Sequence, residues 1–373
     1  MPVNQTTEHR LDLVNMLFLL GTLAVTLVGV PWYIVKVGLG WPETITFAVL
    51  WLLVGVSVTA GYHRLFSHRT YRAAWPVRLF FLVFGAAALE NSALRWSADH
   101  RVHHSHTDHD RDPYNIQKGF WWAHMGWVFF HHEPPSLNVV RDLQDDPLVL
   151  WQDRWNRLIG LGLSFGVPLV VGLATGRVLG CLLIGGVARV VVSHHSTFFI
   201  NSLCHMIGRQ PYSREHSARD SAVMAVLALG EGYHNFHHSF PFDYRNGVKP
   251  WHFDPAKWVI FALSKLGLAR ELRRAPDALL LRARVSVQFE HARERLAQRV
   301  GEMRQAQERR LHDAHAAVQA RLQELLSLQR RARGALAAEV DEGVVACHRA
   351  VEQALHEWRL VLEQLGSAEA VPA

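Results

Sequence analysis

Four long apolar runs, at 13–30, 45–62, 158–175 and 178–199, constrain this chain more than any other feature. Each is near the roughly 20 residues a helix needs to cross about 30 Å of hydrocarbon. In that medium every backbone N–H and C=O must be bonded within its own segment, and helices do this. The linkers inside each pair are short, PWYIVKVGLGWPET and a bare GR. The runs therefore predict two helical hairpins with both termini on one side. Arg64, Arg69, Arg72, Arg78, Arg101 and Arg111 lie outside the hairpins, and an excess of arginine marks the cytosolic side. A shorter apolar run, 77–89, ends in Glu90-Asn91 and would invert the topology if it crossed. It is expected to be a buried or interfacial helix.

Charge and cysteine usage exclude other classes. Lys and Arg exceed Asp and Glu by 39 to 33, but the arginines flank the apolar runs or crowd the last hundred residues. No basic groove interleaved with aromatics suggests a nucleic-acid partner. Cys181, Cys204 and Cys347 are too scattered for a disulfide framework or a metal knuckle, which suits a reducing compartment. The first ten residues, MPVNQTTEHR, carry little positive charge, and no small-residue cleavage site follows the first run. That run reads as a retained anchor rather than a signal peptide.

From Pro276 onward the chain becomes rich in Ala, Arg, Glu, Gln and Leu, and a period of eleven emerges. Val285, Leu296, Gln307, Val318, Gln329, Val340, Val351 and Leu362 form one row. Phe289, Val300, Leu311, Leu322, Arg333, Val344 and Leu355 form a second, and Ala292, Met303, Ala314, Leu325, Leu336, Cys347 and Trp358 a third. Eleven residues in three turns is close to the natural helix, so the stripe stays on one face. A stripe this narrow predicts pairing with another helix, as a coiled coil or a folded-back hairpin divided near Gly334 and Gly343. The expected organisation is a membrane core over 1–270 and a helical extension over 271–373, with a homo-oligomer formed through 277–365.

The chemistry lies in the histidines. HRLFSH places His63 and His68 at H-x4-H spacing, HRVHH places His100, His103 and His104 at H-x2-H-H, and HNFHH repeats that spacing at His234, His237 and His238. Residues at i, i+3 and i+4 of a helix share a face, so each H-x2-H-H is expected to aim its imidazoles at one point. Imidazole is a good ligand for Fe, Zn, Cu and Ni, and eight of them suit two ions. Ligation requires the neutral ring, which also removes the repulsion that clustered imidazolium would suffer. Asp99 and Glu231, beside the second and third groups, are the carboxylates expected to orient these ligands.

These segments resemble a known family. HRLFSH, WSADHRVHH and GEGYHNFHHSFPFDYRNG are similar to the three histidine boxes of the membrane fatty acyl desaturases, in their acyl-CoA delta-9 (stearoyl-CoA) branch, of bacterial type. The resemblance spans roughly 10–270, including DPYNIQKGFWWAHMGW. It implies a cytosolic di-iron domain, so the expected fold class is an all-α integral membrane protein with four transmembrane helices, that domain, and the C-terminal extension. It implies a ninth ligand, His205, and Asn201 reaching a metal through water. It further implies two Fe ions, O2 as co-substrate, a long-chain acyl-CoA substrate and a cis double bond, delta-9 by resemblance alone. The chain shows no HPGG-like haem-binding stretch and no cysteine cluster. A separate donor is thus expected, ferredoxin, flavodoxin or cytochrome b5 with its reductase, in a bacterial cytoplasmic membrane.

Two positions depart from the family. Where its animal members carry arginine in the lead-in to the second box, this chain has Ala98; where they carry Arg-Lys after the G-W segment, it has His131 and His132. Both family positions contact the CoA phosphates, so an acyl-lipid remains an alternative substrate, with Arg95, Arg101, Arg111 or Lys118 as replacements. Arg189, inside the fourth run, costs energy in hydrocarbon and is a candidate substrate residue with Arg95 and Trp96. His194 and His195 suit hydrogen-bonding or pocket roles, while His106, His109, His124, His131, His132, His216 and His252 are expected not to ligate. A membrane hydroxylase or alkane monooxygenase is the rival enzyme. A metal transporter would place its ligands at the membrane midplane, and a coiled-coil scaffold would leave the boxes unexplained.

Overall fold

The computed structural model describes residues 10–131, 134–298, 303–332 and 338–366, and these are mostly helical. Four helices are long and apolar enough to cross a membrane: Leu13–Lys36, Trp41–Ser67, Pro147–Thr175 and Val178–His205. They make the chain an integral membrane protein. On the first span Val14, Leu17, Leu27, Val28 and Val35 are exposed, and an outward apolar face of that extent suits lipid rather than water.

Each span outruns its apolar run. The first hairpin loop is only the few residues between Lys36 and Trp41, because Pro31 sits inside the first helix without ending it. Proline is tolerated in spans, where neighbours re-satisfy the freed carbonyl. The third span starts at Pro147, where Asp146 accepts backbone N–H bonds from Leu148 and Val149. The two hairpin loops are tied together: Arg177 donates to Glu43 (2.8 Å) and to the carbonyl of Gly38 (2.6 Å).

The apolar run at 77–89 forms the short helix Trp75–Ala86. Val77, Phe81 and Leu82 pack with Ala60, Tyr62 and Leu65 of the second span in one buried cluster. One departure from all-α appears among the described residues. Arg72–Ala73 pairs antiparallel with Ala269–Arg270, in the register Arg72 to Arg270, pulling the chain after the first histidine box against the end of the core.

The chain divides into two compact units: Met1–Arg209 with His216–Arg274, and Gln210–Glu215 with Ala275–Ala373. The second contains helices Asp277–Ala297, Met303–Ala332 and Ala338–Gln364. From the eleven-residue rows, Val285, Leu296, Leu311, Val318, Leu322, Leu325, Cys347, Val351, Leu355, Trp358 and Leu362 meet in one buried cluster. The stripe is thus covered by the chain's own helices, three rather than two, and Gly343 lies inside the last one instead of breaking it. This intrachain burial removes the argument that had pointed to a coiled coil or an oligomer through 277–365. Val300, Arg333, Gly334 and Leu336 lie outside the described residues.

Candidate metal centre

The first box stands on an unusual backbone. At Ser57 the second span turns from α to π and stays so to Ser67. The N–H of His68 bonds the carbonyl of His63 at 3.1 Å, a five-residue step. On an α-helix, side chains five apart diverge by about 140°. The wider turn closes that gap, and the two rings stand 4.9 Å apart. Such π turns are frequent at functional sites. They explain why an H-x4-H spacing works here.

The second and third boxes lie on helices Ala93–His106 and His234–Ser239. Their imidazoles form two groups: His63, His68, His100, His104 and His237 in one, and His103, His205, His234 and His238 in the other. Within each group the ligand atoms lie within 4.8 Å of one another. The expectation that each H-x2-H-H aims at one point is therefore corrected. Each helix gives its i and i+4 histidines to one group and its i+3 histidine to the other. The reason is angular: i+3 and i+4 sit about 100° apart around the axis, enough to serve two adjacent points.

The donors converge through Nε2. His63 Nε2 is 2.9 Å from His237 Nε2, His68 is 2.8 Å from His100, and His237 is 2.9 Å from His104. In the other group the spacings are 3.1 Å for His234 to His205 and for His238 to His234. The outer nitrogens fix the tautomer. Nδ1 of His63 meets Glu231 at 2.9 Å, that of His103 meets Asp112 at 2.8 Å, and that of His205 meets Ser217 Oγ at 2.7 Å. Ser217 in turn donates its hydroxyl to Asp108. With Nδ1 protonated toward these acceptors, Nε2 presents a lone pair inward. Lone pairs facing one another at these distances repel unless a cation lies between them, so the donor set fits a metal centre.

Burial, reinforced by neighbouring imidazoles, pushes His68, His100, His104, His234, His237 and His238 well below the ordinary histidine range. They are neutral, as ligation requires. Burial alone would raise the Glu231 carboxyl, but His63 and Arg64 beside it hold it at about 2. Arg64 is itself buried, donating to Glu231 (2.9 Å) and pairing with Asp254 (2.9 Å), and Asn246 donates to Glu231 at 2.6 Å. Glu231 stands between two glycines for a steric reason. A Cβ on Gly232 would lie 2.0 Å from the backbone nitrogen of Ala225, and Gly230 has φ of +102°.

Several expected roles are reassigned. Asp99 makes no hydrogen bond to an imidazole among the described residues; the carboxylate on His103 is Asp112. One position before His100, a side chain points about 100° away from that ligand. Arg189 donates to the carbonyl of Ala87 (2.7 Å) and His194 reaches that of Ala88 (2.8 Å), which ties both to the turn after Trp75–Ala86. Arg95 is exposed beside Asp153. Arg101 is bidentate to Asp142 and spends its other donors on backbone carbonyls, which excludes it as a phosphate ligand. Arg111 and Lys118 remain exposed. His131 is exposed 3.4 Å from Asp12, and His132 lies outside the described residues.

His124 bonds Ser202 and His195, His252 stacks on Tyr233, and His106 and His109 face backbone carbonyls. His216 lies close to His238 but belongs to neither group. Sequence reasoning missed the Arg64–Asp254 pair and Asp112. The repeated acidic residues of DHDRDPYN were the available signal for the latter.

A narrow, mostly apolar cavity leads to the imidazoles. Trp51, Val54, Val58, Ala88, Trp96, Ile200 and Leu229 line it, with Asn201 and Glu90 on its wall, and His63, His100, His103 and His234 close it. Trp96 stacks on His100 at 4.8 Å, which gives it a place in the cavity that Arg95 and Arg189 lack.

Comparison with known proteins agrees with this geometry. The model of a family described as fatty acid desaturase matches residues 43–271. A Schizosaccharomyces pombe protein named "Probable acyl-CoA desaturase" is 45% identical over 239 residues, 63% of this chain and 50% of that protein. "Acyl-CoA desaturase 1" of Saccharomyces cerevisiae is 44% identical over 61% of this chain and 46% of its own length. "Stearoyl-CoA desaturase 5" of Bos taurus is 35% identical over 73% of this chain and 83% of that protein. The chain thus spans about half the length of its yeast relatives and most of the bovine one.

Proposed function

This chain belongs to the fatty acid desaturase family, and we propose that it introduces a cis double bond, at the delta-9 position, into a long-chain acyl-CoA. The observation that carries this reading is the apolar cavity ending on imidazoles of both groups. An alkyl chain in it lies dry against the place where a metal centre is held. The names of the relatives support an acyl-CoA as the carrier.

The nine histidines would hold two iron ions, His63, His68, His100, His104 and His237 one of them, and His103, His205, His234 and His238 the other, with Asn201 reaching a metal through water. Supplied with dioxygen and two electrons, iron provides the oxidising power to remove hydrogen from an unactivated methylene pair, which no side-chain acid or base can do. The protein's own residues do the rest. Glu231 and Asp112 orient His63 and His103, Trp96 fixes the plane of His100, and Trp51, Val58 and Leu229 exclude water from the chain. A separate donor, ferredoxin, flavodoxin or cytochrome b5 with a reductase, would supply the electrons. The membrane is a bacterial cytoplasmic membrane with both termini on the cytosolic side, and 1–270 is the catalytic domain.

The test is the fatty-acid profile of a desaturase-deficient host expressing the chain or its His237→Ala variant, with double bonds located by mass spectrometry. A cis-monoene at delta-9 that vanishes in the variant is expected. Hydroxylated chains would move the enzyme to the hydroxylase class, and desaturation only on intact lipids would replace the CoA carrier.

A further inference from the structure

Glu90 is the one titratable residue lining the cavity that the proposed reaction leaves unused. It follows the short helix Trp75–Ala86, between Leu89 and Asn91, both at positive φ (58° and 87°). Arg189, His194 and Ser164 hold the carbonyls of Ala87 and Ala88 just before it, so its placement is enforced by the third and fourth spans. Both carboxyl oxygens are buried and neither has a hydrogen-bond partner among the described residues. Burial pushes its pKa up to about 7, against the lowering effect of the Thr197 and Trp96 side chains, the only hydrogen-bonding groups among the described residues that act on it.

The surrounding charges offer it no partner. Tyr62 on the second span and Tyr114 beyond Ala93–His106 lie near enough to feel its charge, and His63, His100, His103, Glu231 and His234 line the same cavity. The imidazoles are turned to the metal groups and Glu231 is committed to Arg64, while burial pushes the Tyr114 phenol well above its ordinary range. From the fourth span Arg189 donates to Ala87, its other buried nitrogens do not reach Glu90, and among the described residues no guanidinium pairs with Glu90.

An ionised carboxylate here keeps water in the cavity, and an alkyl chain must strip that water away. Stripping an unpaired charge is costly, whereas a neutral carboxyl tolerates it. We propose that Glu90 must be protonated for the alkyl chain to enter, so that substrate binding and proton uptake by this residue are linked. The inference rests on the acyl-chain reading of the cavity. It makes Glu90 a positioning residue for the substrate and makes chain affinity depend on pH.

The experiment is equilibrium binding of stearoyl-CoA to the iron-loaded full chain without an electron donor, so that nothing turns over. It runs across pH 6 to 9 for the wild type and Glu90→Gln. The wild type is expected to lose about tenfold in affinity per pH unit above about 7, while Glu90→Gln keeps the affinity the wild type has at low pH. The CoA phosphates titrate alike in both proteins, so the difference belongs to Glu90. Calorimetry of the wild type in two buffers of different ionisation enthalpy should record uptake of up to one proton above pH 7. Parallel pH profiles, or no proton uptake, would overturn the linkage and leave the acyl reading standing. Absence of binding at every pH would overturn both.

Discussion

The core around the histidines and the C-terminal three-helix unit bury opposite materials. In the first, His63, His100, His103, His205, His234, His237, Arg64, Glu231 and Asp254 are all buried, each with a polar partner. In the second, the interior is Val285, Leu311, Val318, Leu322, Leu325 and Trp358, with hardly a polar atom beyond the Trp358 indole bonding Gln288. A polar interior costs desolvation and must be satisfied group by group, whereas an apolar one needs only shape and area. The contrast says that the first interior is retained for chemistry and the second for folding. Removing one member should therefore produce different failures.

The largest effect is expected at Glu231. Glu231→Ala strips a carboxylate from both His63 and Arg64, and breaking a buried pair costs about 3–5 kcal/mol. Thermal melts of the purified protein should fall, and metal content with them. Full metal retention would break the claim that this carboxylate orients a ligand. Trp358→Ala should cost a similar amount, about 3–5 kcal/mol, yet leave metal content unchanged. Hydrogen exchange should quicken within 277–364 only; loss of metal would erase the contrast between the interiors.

A smaller effect separates the two aspartates. Asp112→Asn should weaken metal binding about 10- to 100-fold in competition with a chelator, the usual cost of losing a ligand's orienting partner. Asp99→Asn should leave it unchanged, and the reverse result would restore the assignment that spacing alone suggests.

Much of this was legible in the chain. The four spans followed from length and apolarity, because hydrocarbon forbids unpaired backbone. Eight imidazoles followed from local spacing, because helix periodicity puts near neighbours on one side. His205 required the family resemblance, since a single histidine carries no period. The contact Arg189 makes was not legible, because a charge in an apolar run announces only that it has a partner, and the carbonyl of Ala87 that it meets is distant in the chain.

What the sequence determined by itself is thus local and periodic: which segments cross the membrane, which eight box histidines gather, and that the last hundred residues carry a continuous stripe. Tertiary structure alone decided the rest. It divided the donors five and four, opened the π turn that brings His63 to His68, chose Asp112 over Asp99, and folded the stripe onto itself. Each of these depends on residues far apart in the chain meeting, or on a backbone distortion held in place by packing, and no spacing rule along one helix encodes either.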